Sequence, residues 1–217
     1  MLFSLRDDWH KYAYRLTHAW SKVYFPMAFF KVELSFEEAL GQGPMVFCAN
    51  HFSYLDVATM PMVSSEACFV GKSSIKNVPI FGLFFKLLHI SVDRGSVRDR
   101  ARALQQNMEA VQEGKSLFIF PEGGIKSVTP PHQMHYKDGA FITAINTGVP
   151  IVPVTIATNW LVFPDDGKFL LRSRLIKMIV HKPISTQNKN ADDIAELKKN
   201  VFDIIQNDLN TMTDANN

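Results

Sequence analysis

The chain has 217 residues, of which 47% are hydrophobic and 20% are charged, and its formal net charge is +2. This composition is that of an ordinary globular domain and excludes an intrinsically disordered chain. The net charge is too small to argue for a nucleic-acid partner.

The first 30 residues form an amphipathic segment. Apolar and aromatic residues recur at roughly helical spacing, and among them are Leu5, Trp9, Tyr12, Leu16 and Trp20. Basic residues lie between them, so the pattern predicts an aromatic-rich amphipathic helix. Such a helix suits a bilayer interface, and it equally suits packing on the core of its own domain.

Several features of the sequence bear on the cellular compartment. No run of about 18 or more uncharged apolar residues is present, so we expect no transmembrane helix. Charged residues from Arg6 onward interrupt any signal-peptide core. Cys48 and Cys68 belong to no C-x-x-C pair, and we interpret them as buried, reduced thiols. We therefore expect the protein to face the cytoplasm.

From about residue 31 onward, short apolar runs alternate with helical stretches. The apolar runs predict strands at 45–49, 67–70, 89–92, 116–120, 151–156 and 177–180. Apolar residues at helical spacing predict helices at 97–111, 141–146 and 194–209. The alternation predicts an α/β domain with a central sheet. Pro153 suggests that the strand at 151–156 lies at an edge or contains a bulge.

A histidine and an aspartate follow the predicted strand at 45–49. His51 and Asp56 are five residues apart, and on one helix they would point about 140° away from each other. They can meet only if His51 lies in a turn and Asp56 in the helix that follows. Asp56 would then hold one ring nitrogen and leave the other for a substrate, as in a general base. A plain structural hydrogen bond explains the pair as well.

A second polar group follows the predicted strand at 116–120. Glu122 could accept hydrogen bonds from a polyol, and the amides of Gly123 and Gly124 could approach an anion closely. A tight turn with a solvated glutamate is the alternative interpretation.

Three basic residues follow or interrupt apolar segments. Arg94 leaves the predicted strand at 89–92 just before a helix, a position that suits a phosphate. An exposed salt bridge with Asp93 explains Arg94 equally well. Lys72 and Lys126, each taken alone, are indistinguishable from ordinary surface charge.

The order of these motifs is more specific than any one of them. His51-x4-Asp56, then Asp93-Arg94, then FPEG at 120–123 and VPIVPV at 149–154 follow one another along the chain. This closely resembles the four sequence blocks of the bacterial lysophosphatidate acyltransferases, the glycerolipid acyltransferase family often called PlsC-like. The resemblance covers about residues 36–160. It implies the glycerolipid acyltransferase fold, a central mixed sheet flanked by helices, with an N-terminal amphipathic helical element.

The resemblance also implies an activity and its partners. The expected reaction moves a fatty acyl group from acyl-CoA or acyl-carrier protein to the free hydroxyl of 1-acylglycerol 3-phosphate. The product is phosphatidic acid in phospholipid biosynthesis. No metal or redox cofactor is expected, because the thioester itself stores the driving force. Residues 1–35 would be membrane-contacting helices and residues 36–217 the acyltransferase domain, placed peripherally on the cytoplasmic face of a membrane.

The resemblance assigns roles to single residues. His51 would be the general base and Asp56 would orient it. Glu122 and Gly123 would shape the acceptor site, and Lys72 and Arg94 would bind the acceptor phosphate. The amides of Gly123 and Gly124 are candidates for stabilising the oxyanion.

The sequence departs from the family at one phosphate-binding position. Ile125 stands where the family has an arginine, and Lys126 beside it would supply a point charge instead of a bidentate fork. The acceptor could therefore be another lysophospholipid or a hydroxylated lipid.

Two further hypotheses belong to other functional classes. One is a metal-dependent phosphohydrolase that uses His51, Asp56 and Glu122 as ligands. The other is a non-enzymatic lipid-binding module that works through the N-terminal helix.

Overall fold

A computed structural model of the chain describes residues 10–65, 67–74, 85–86, 88–93, 95–168, 170–172 and 175–214. Within these ranges the strands are β1 (Lys31–Phe36), β2 (Val46–Ala49), β3 (Ala67–Lys72), β4 (Ile90–Val92), β5 (Ser116–Ile119), β6 (Ile151–Ile156) and β7 (Leu175–Val180). The α-helices are α1 (His10–Met27), α2 (Leu55–Thr59), α3 (Val97–Gln112), α4 (Gly139–Thr147), α5 (Asn159–Val162) and α6 (Ile194–Asp214). A 3₁₀ turn, Met60–Met62, directly follows α2.

The seven strands form one mixed sheet in the order β1-β7-β6-β2-β5-β3-β4. Strands β6, β2, β5, β3 and β4 run parallel to one another, and β7 pairs antiparallel with β6. The expected mixed sheet flanked by helices is therefore confirmed. Because β2 is the fourth of the seven strands and pairs in parallel with both of its neighbours, its carboxyl end lies at the centre of one sheet edge, where sites in such sheets form.

Both faces of the sheet are covered, and β2 shows this directly. Val46 and Cys48 point into the core shared with α3, α4 and α6, whereas Phe47 and Ala49 point into the core shared with Phe25 of α1. All four residues of β2 are buried. A strand buried on both faces is a continuous apolar run, which is why the sequence predicts it so clearly.

The expected boundary between residues 35 and 36 requires correction. Residues 31–35 do not belong to a helical element, because β1 pairs in parallel with β7 and extends the sheet. The strand is half exposed and carries Lys31, Glu33 and Ser35. An edge strand of this kind gives only a weak apolar signal.

The expectation that Pro153 marks an edge or a bulge was wrong, because β6 lies between β7 and β2. The amide of His181, one residue beyond the end of β7, donates to the Pro153 carbonyl at 3.0 Å. Proline lacks only the reciprocal donor at this point, so the sheet loses a single bond at the end of the β6–β7 ladder.

Helix α1 carries apolar residues on two faces. Tyr14 and Phe25 are buried against the domain, whereas Leu16 and Trp20 are 62% and 60% exposed. The helix is fastened to the turn after α2 by His18, whose Nδ1 lies 2.6 Å from the Pro61 carbonyl oxygen. Residues 1–9, where the first part of the expected amphipathic helix falls, lie outside the described residues. None of the helices described has the length and apolar character that a bilayer crossing needs.

Candidate active site

The site forms where the neighbouring parallel strands β2 and β5 end. Cys48 is paired with Ile119 in the sheet, and His51 and Glu122 each lie three residues further along. Because β2 and β5 are parallel neighbours, the segments that follow them lie at the same edge of the sheet. The backbone amide of His51 donates to Glu122 Oε1 at 2.8 Å. The sequence predicted each residue from a strand end, and the structure brings the two together.

His51 lies in the turn after β2 and Asp56 lies in the first turn of α2, as the spacing required. The Nδ1 atom of His51 is 2.9 Å from Asp56 Oδ2. With a proton on Nδ1, which the carboxylate favours, the neutral ring presents an unprotonated Nε2. This is the tautomer that a general base needs.

Asp56 is fixed by more than the histidine. Its Oδ2 also accepts the backbone amides of Phe52 and Ser53, each at 2.9 Å. The side chain is 1% exposed, and within the described part of the chain Oδ1 is a buried atom without a hydrogen-bond partner. A carboxylate held by two backbone amides cannot easily rotate, so it holds the imidazole in one orientation.

The imidazole of His51 is also held by stacking. It lies on the ring of Phe120 with the two ring centroids 4.1 Å apart and the planes 17° from parallel. The His51 side chain is 12% exposed. The ring is therefore enclosed on one face and bonded at Nδ1, and it retains limited access to solvent. No role for Phe120 was predicted from the sequence.

Glu122 occupies a different place from the one expected. It is 1% exposed, and its Oε2 accepts the backbone amide of Met134 at 3.0 Å while Oε1 accepts the amide of His51. Burial raises the pKa of Glu122 to about 7, and the amides of Met134 and His51 oppose this rise. The interpretation of Glu122 as a solvated glutamate was wrong, because the side chain is buried and each of its oxygens accepts a backbone amide.

Four polar residues that the sequence analysis did not single out support the turn between β2 and α2. Asn50 forms two hydrogen bonds with Ile156, accepting its amide at 2.8 Å and donating to its carbonyl at 2.9 Å. The Ser53 hydroxyl donates to the Phe163 carbonyl at 2.6 Å. Asn159 donates to Thr59 at 2.9 Å. Residues from the end of β6 to just after α5 thus form hydrogen bonds with the turn on both sides of His51.

The two glycines that follow Glu122 form a tight turn. Gly123 and Gly124 have φ values of 78° and 135°, which only glycine adopts readily. The amide of Gly123 donates to the Phe120 carbonyl at 3.0 Å. This amide is occupied, so its expected role as an oxyanion donor is corrected, and Gly124 is the candidate that remains of the two.

For the expected phosphate-binding residues, the structure gives positions in the fold and no direct contact with the histidine pair. Lys72 is exposed at the carboxyl end of β3, and the register of β3 with β5 sets it one strand away from Pro121. Neighbouring strands are about 4.8 Å apart, so Lys72 lies at the same sheet edge as Glu122. Lys126 is exposed in the loop after the glycines. Arg94 lies outside the described residues.

The geometry also bears on the metal-dependent hypothesis. Asp56 bonds the imidazole and two amides, and Glu122 bonds two other amides, so the three proposed ligands do not point toward a common centre. Among the residues that the structure describes, no group of three His, Cys, Asp or Glu side chains is arranged to hold a metal ion. The arrangement instead resembles the base and orienting carboxylate of a triad, without a protein nucleophile.

Comparison with known proteins gives a consistent result. Residues 31–157 match the acyltransferase family, a range that includes β1, the histidine turn and the Glu122 loop. A 1-acyl-sn-glycerol-3-phosphate acyltransferase of Saccharomyces cerevisiae is 34% identical over 171 residues, which are 77% of this chain and 56% of the yeast protein. The chloroplastic 1-acyl-sn-glycerol-3-phosphate acyltransferase BAT2 of Brassica napus is 29% identical over 178 residues, which are 80% of this chain and 51% of BAT2.

The chain spans about half the length of these curated relatives. Among solved structures, the 1-acyl-sn-glycerophosphate (LPA) acyltransferase PlsC of Thermotoga maritima superposes with a TM-score of 0.75 at 21% identity. The match covers 96% of this chain and 83% of that protein. At this identity the likeness establishes the shared fold.

Proposed function

Because the chain belongs to the acyltransferase family, we propose that it transfers a fatty acyl group from an acyl thioester to the free hydroxyl of 1-acylglycerol 3-phosphate. The product is phosphatidic acid. The observation that carries this proposal is the His51–Asp56 pair at the end of β2, in which the contact between Nδ1 and Asp56 Oδ2 favours the tautomer with an unprotonated Nε2. Relatives named for this reaction support the choice of acceptor.

The chemistry follows from the orientation of the imidazole. Nε2 of His51 takes the proton of the acceptor hydroxyl as its oxygen attacks the thioester carbonyl carbon. Asp56 stabilises the imidazolium that results. The tetrahedral intermediate then collapses with cleavage of the C–S bond, and the imidazolium returns the proton to the departing thiolate. A general base of this kind contributes about 10²–10⁴-fold in rate.

The acceptor phosphate is assigned to three basic residues that follow or end strands in the sequence. Lys72 ends β3, Lys126 follows the glycine turn, and Arg94 follows β4 in the sequence. Lysines attract a phosphate as point charges and tolerate a range of headgroup shapes, whereas arginine binds it through a planar fork. Either acyl-CoA or acyl-carrier protein can supply the thioester in this scheme.

The exposed face of α1 suits a membrane surface. This face consists of large apolar residues at helical spacing: Tyr12, Leu16, Trp20, Val23, Tyr24 and Met27. Tryptophan and tyrosine are the residues that settle at the headgroup level of a bilayer. We place the enzyme peripherally on the cytoplasmic face of a membrane, where a lysolipid acceptor would be available.

Purified protein offered a panel of lysophospholipids with both donor types tests the reaction, with products identified by mass spectrometry. The proposal expects phosphatidic acid from 1-acylglycerol 3-phosphate at a higher kcat/KM than any product from lysophosphatidylcholine or lysophosphatidylethanolamine. A higher kcat/KM for another lysolipid would transfer the assignment to that acceptor. Acceptor binding without turnover would favour the non-enzymatic lipid-binding hypothesis.

Vesicle flotation tests the membrane surface separately. Leu16→Ser should reduce recovery of the protein with vesicles of phosphatidylglycerol and phosphatidylethanolamine. Leu171→Ser is a matched control, because Leu171 is 61% exposed and Leu16 is 62% exposed. Equal recovery of both variants and the unchanged protein would contradict a membrane role for this face of α1.

A further inference from the structure

We infer that Glu122 is a positioning residue that holds the backbone of His51, and that it does not bind the acceptor directly. The inference rests on the proposed acyl transfer, because it assigns Glu122 a role in that reaction. His51 is then held by two carboxylates, with Asp56 bonded to its ring and Glu122 bonded to its amide.

The contacts of Glu122 connect two segments that are distant in sequence. Oε1 accepts the amide of His51 at 2.8 Å, and Oε2 accepts the amide of Met134 at 3.0 Å. The first amide belongs to the turn after β2, and the second belongs to the loop between the glycine turn and α4. One rigid carboxylate therefore sets the spacing between the histidine turn and this loop.

The loop that contains Met134 is itself anchored, so Glu122 bonds to a fixed support. Gln133 and Gln206 of α6 are joined by the bond from the Gln133 amide to Gln206 Oε1 at 2.9 Å. The side-chain amide of Gln133 donates to the Phe202 carbonyl at 3.1 Å. The amide of Lys137 donates to the Pro121 carbonyl at 2.8 Å. The C-terminal helix thus supports the loop, and the loop supports Glu122.

Burial separates this role from acceptor binding. With 1% of its surface exposed, Glu122 offers almost no area to a bound lipid. Each carboxylate oxygen already accepts one backbone amide, and the burial of the side chain leaves a substrate hydroxyl no open approach to the remaining lone pairs.

Glu122→Gln tests the inference because it keeps the shape of the side chain and replaces one acceptor oxygen with an NH₂ group. That NH₂ must face either the His51 amide or the Met134 amide, so one of the two bonds is lost. We expect kcat to fall about 10- to 100-fold, since small displacements of a catalytic group have effects of that size. The KM for 1-acylglycerol 3-phosphate should stay within about twofold of the unchanged protein.

Glu196→Gln is the control, because Glu196 is exposed on α6 and far along the chain from the site. If Glu122→Gln does not fold, Glu122→Asp provides the same comparison, since it keeps both oxygens but its side chain is one methylene shorter and withdraws them from the two amides. A KM that rises tenfold or more with kcat unchanged would overturn the inference and make Glu122 an acceptor-binding residue.

A second measurement keeps this inference distinct from the proposed reaction. If the unchanged protein transfers no acyl group to any lysolipid, the proposed function fails, and the backbone contact can still be tested by NMR. The ¹⁵N–¹H resonance of the His51 amide should move in the folded Glu122 variant and stay in place in Glu196→Gln. An unmoved His51 resonance would overturn the positioning role.

Discussion

His51 Nδ1 and Asp56 Oδ2 are 2.9 Å apart, although the two residues lie on opposite sides of the boundary between a turn and a helix. Asp56→Asn keeps the size of the side chain and removes the charge that stabilises the imidazolium. We expect kcat to fall about 10²–10⁴-fold with the fold retained, because the ring loses its preferred tautomer. Steady-state kinetics on the folded variant measures the change.

Asp165→Asn is the control for this substitution, because Asp165 is exposed. Its kcat should equal that of the unchanged protein. An Asp56→Asn variant with more than half of the original kcat would show that Asp56 does not orient the base.

The two hydrogen bonds between the Asn50 side chain and Ile156 should stabilise the fold next to the active site. Asn50→Asp replaces the NH₂ donor with an oxygen, which then faces the Ile156 carbonyl oxygen inside the protein. The free energy of unfolding should fall by about 1–3 kcal/mol, the usual result of leaving a buried polar group unpaired. Urea unfolding measures it. The exposed Asn207 supplies the control Asn207→Asp. Equal urea midpoints for the two variants would show that the hydrogen bonds between Asn50 and Ile156 do not stabilise the fold.

Glu122 predicts a dependence of stability on pH. Its pKa is raised to about 7 in the folded protein and is near 4.3 in an unfolded chain. Between these values the folded state keeps a proton that the unfolded state has lost, so stability falls as pH rises from about 4 to about 7. The loss amounts to at most about 3 kcal/mol. Glu122→Gln should lack this loss. When thermal unfolding of the two proteins is measured across this pH range, their stabilities should become more alike as the pH falls.

A second histidine, His181, is buried and forms a hydrogen-bond network away from the active site. His181 Nδ1 is 2.9 Å from Glu37 Oε1, and Nε2 is 2.8 Å from the Thr155 hydroxyl and 3.1 Å from Asp208 Oδ2. This set has the order of a catalytic triad, but Thr155 is fully buried, so no substrate reaches it. The network joins the ends of β1 and β7 to α6 and should act on stability alone.

His181→Ala should therefore lower the free energy of unfolding by about 1–3 kcal/mol, because it removes a buried imidazole together with its hydrogen bonds to Glu37 and Thr155. Urea unfolding measures this change, and kcat at a temperature where the variant is folded should stay within about twofold. The exposed His135 provides the control His135→Ala. A kcat lowered tenfold in folded His181→Ala would show that the network reaches the catalytic centre.

The parts of the fold that the sequence predicted share one physical cause. Strands such as β2 and β5 are buried on both faces, so their apolar runs are continuous and end abruptly at polar residues. The long amphipathic helix α3 is equally clear from its periodicity. Strand β1 was missed because it is an edge strand with alternating charged residues, and its existence depends on pairing with β7 far along the chain.

In the site, too, local contacts were predictable from the sequence and long-range contacts were not. His51 and Asp56 are near neighbours in sequence, so their spacing restricted the local geometry and predicted their contact. Asn50 and Ile156 are 106 residues apart, and so their mutual bonds have no local signal. Glu122 was placed correctly at the sheet edge, but its inward orientation depends on the amide of Met134. Long-range backbone partners decide such orientations, and they become visible only in the folded chain.

Acyl transfer by His51→Ala is the most direct test of the central claim. Acyl-CoA and acyl-carrier protein are each supplied with 1-acylglycerol 3-phosphate, and phosphatidic acid is quantified by mass spectrometry. The unchanged protein and the exposed-histidine control His132→Ala should form product at equal rates, and folded His51→Ala should be about 10²–10⁴-fold slower. Product formation by His51→Ala within twofold of the unchanged protein would contradict the assignment of His51 as the general base.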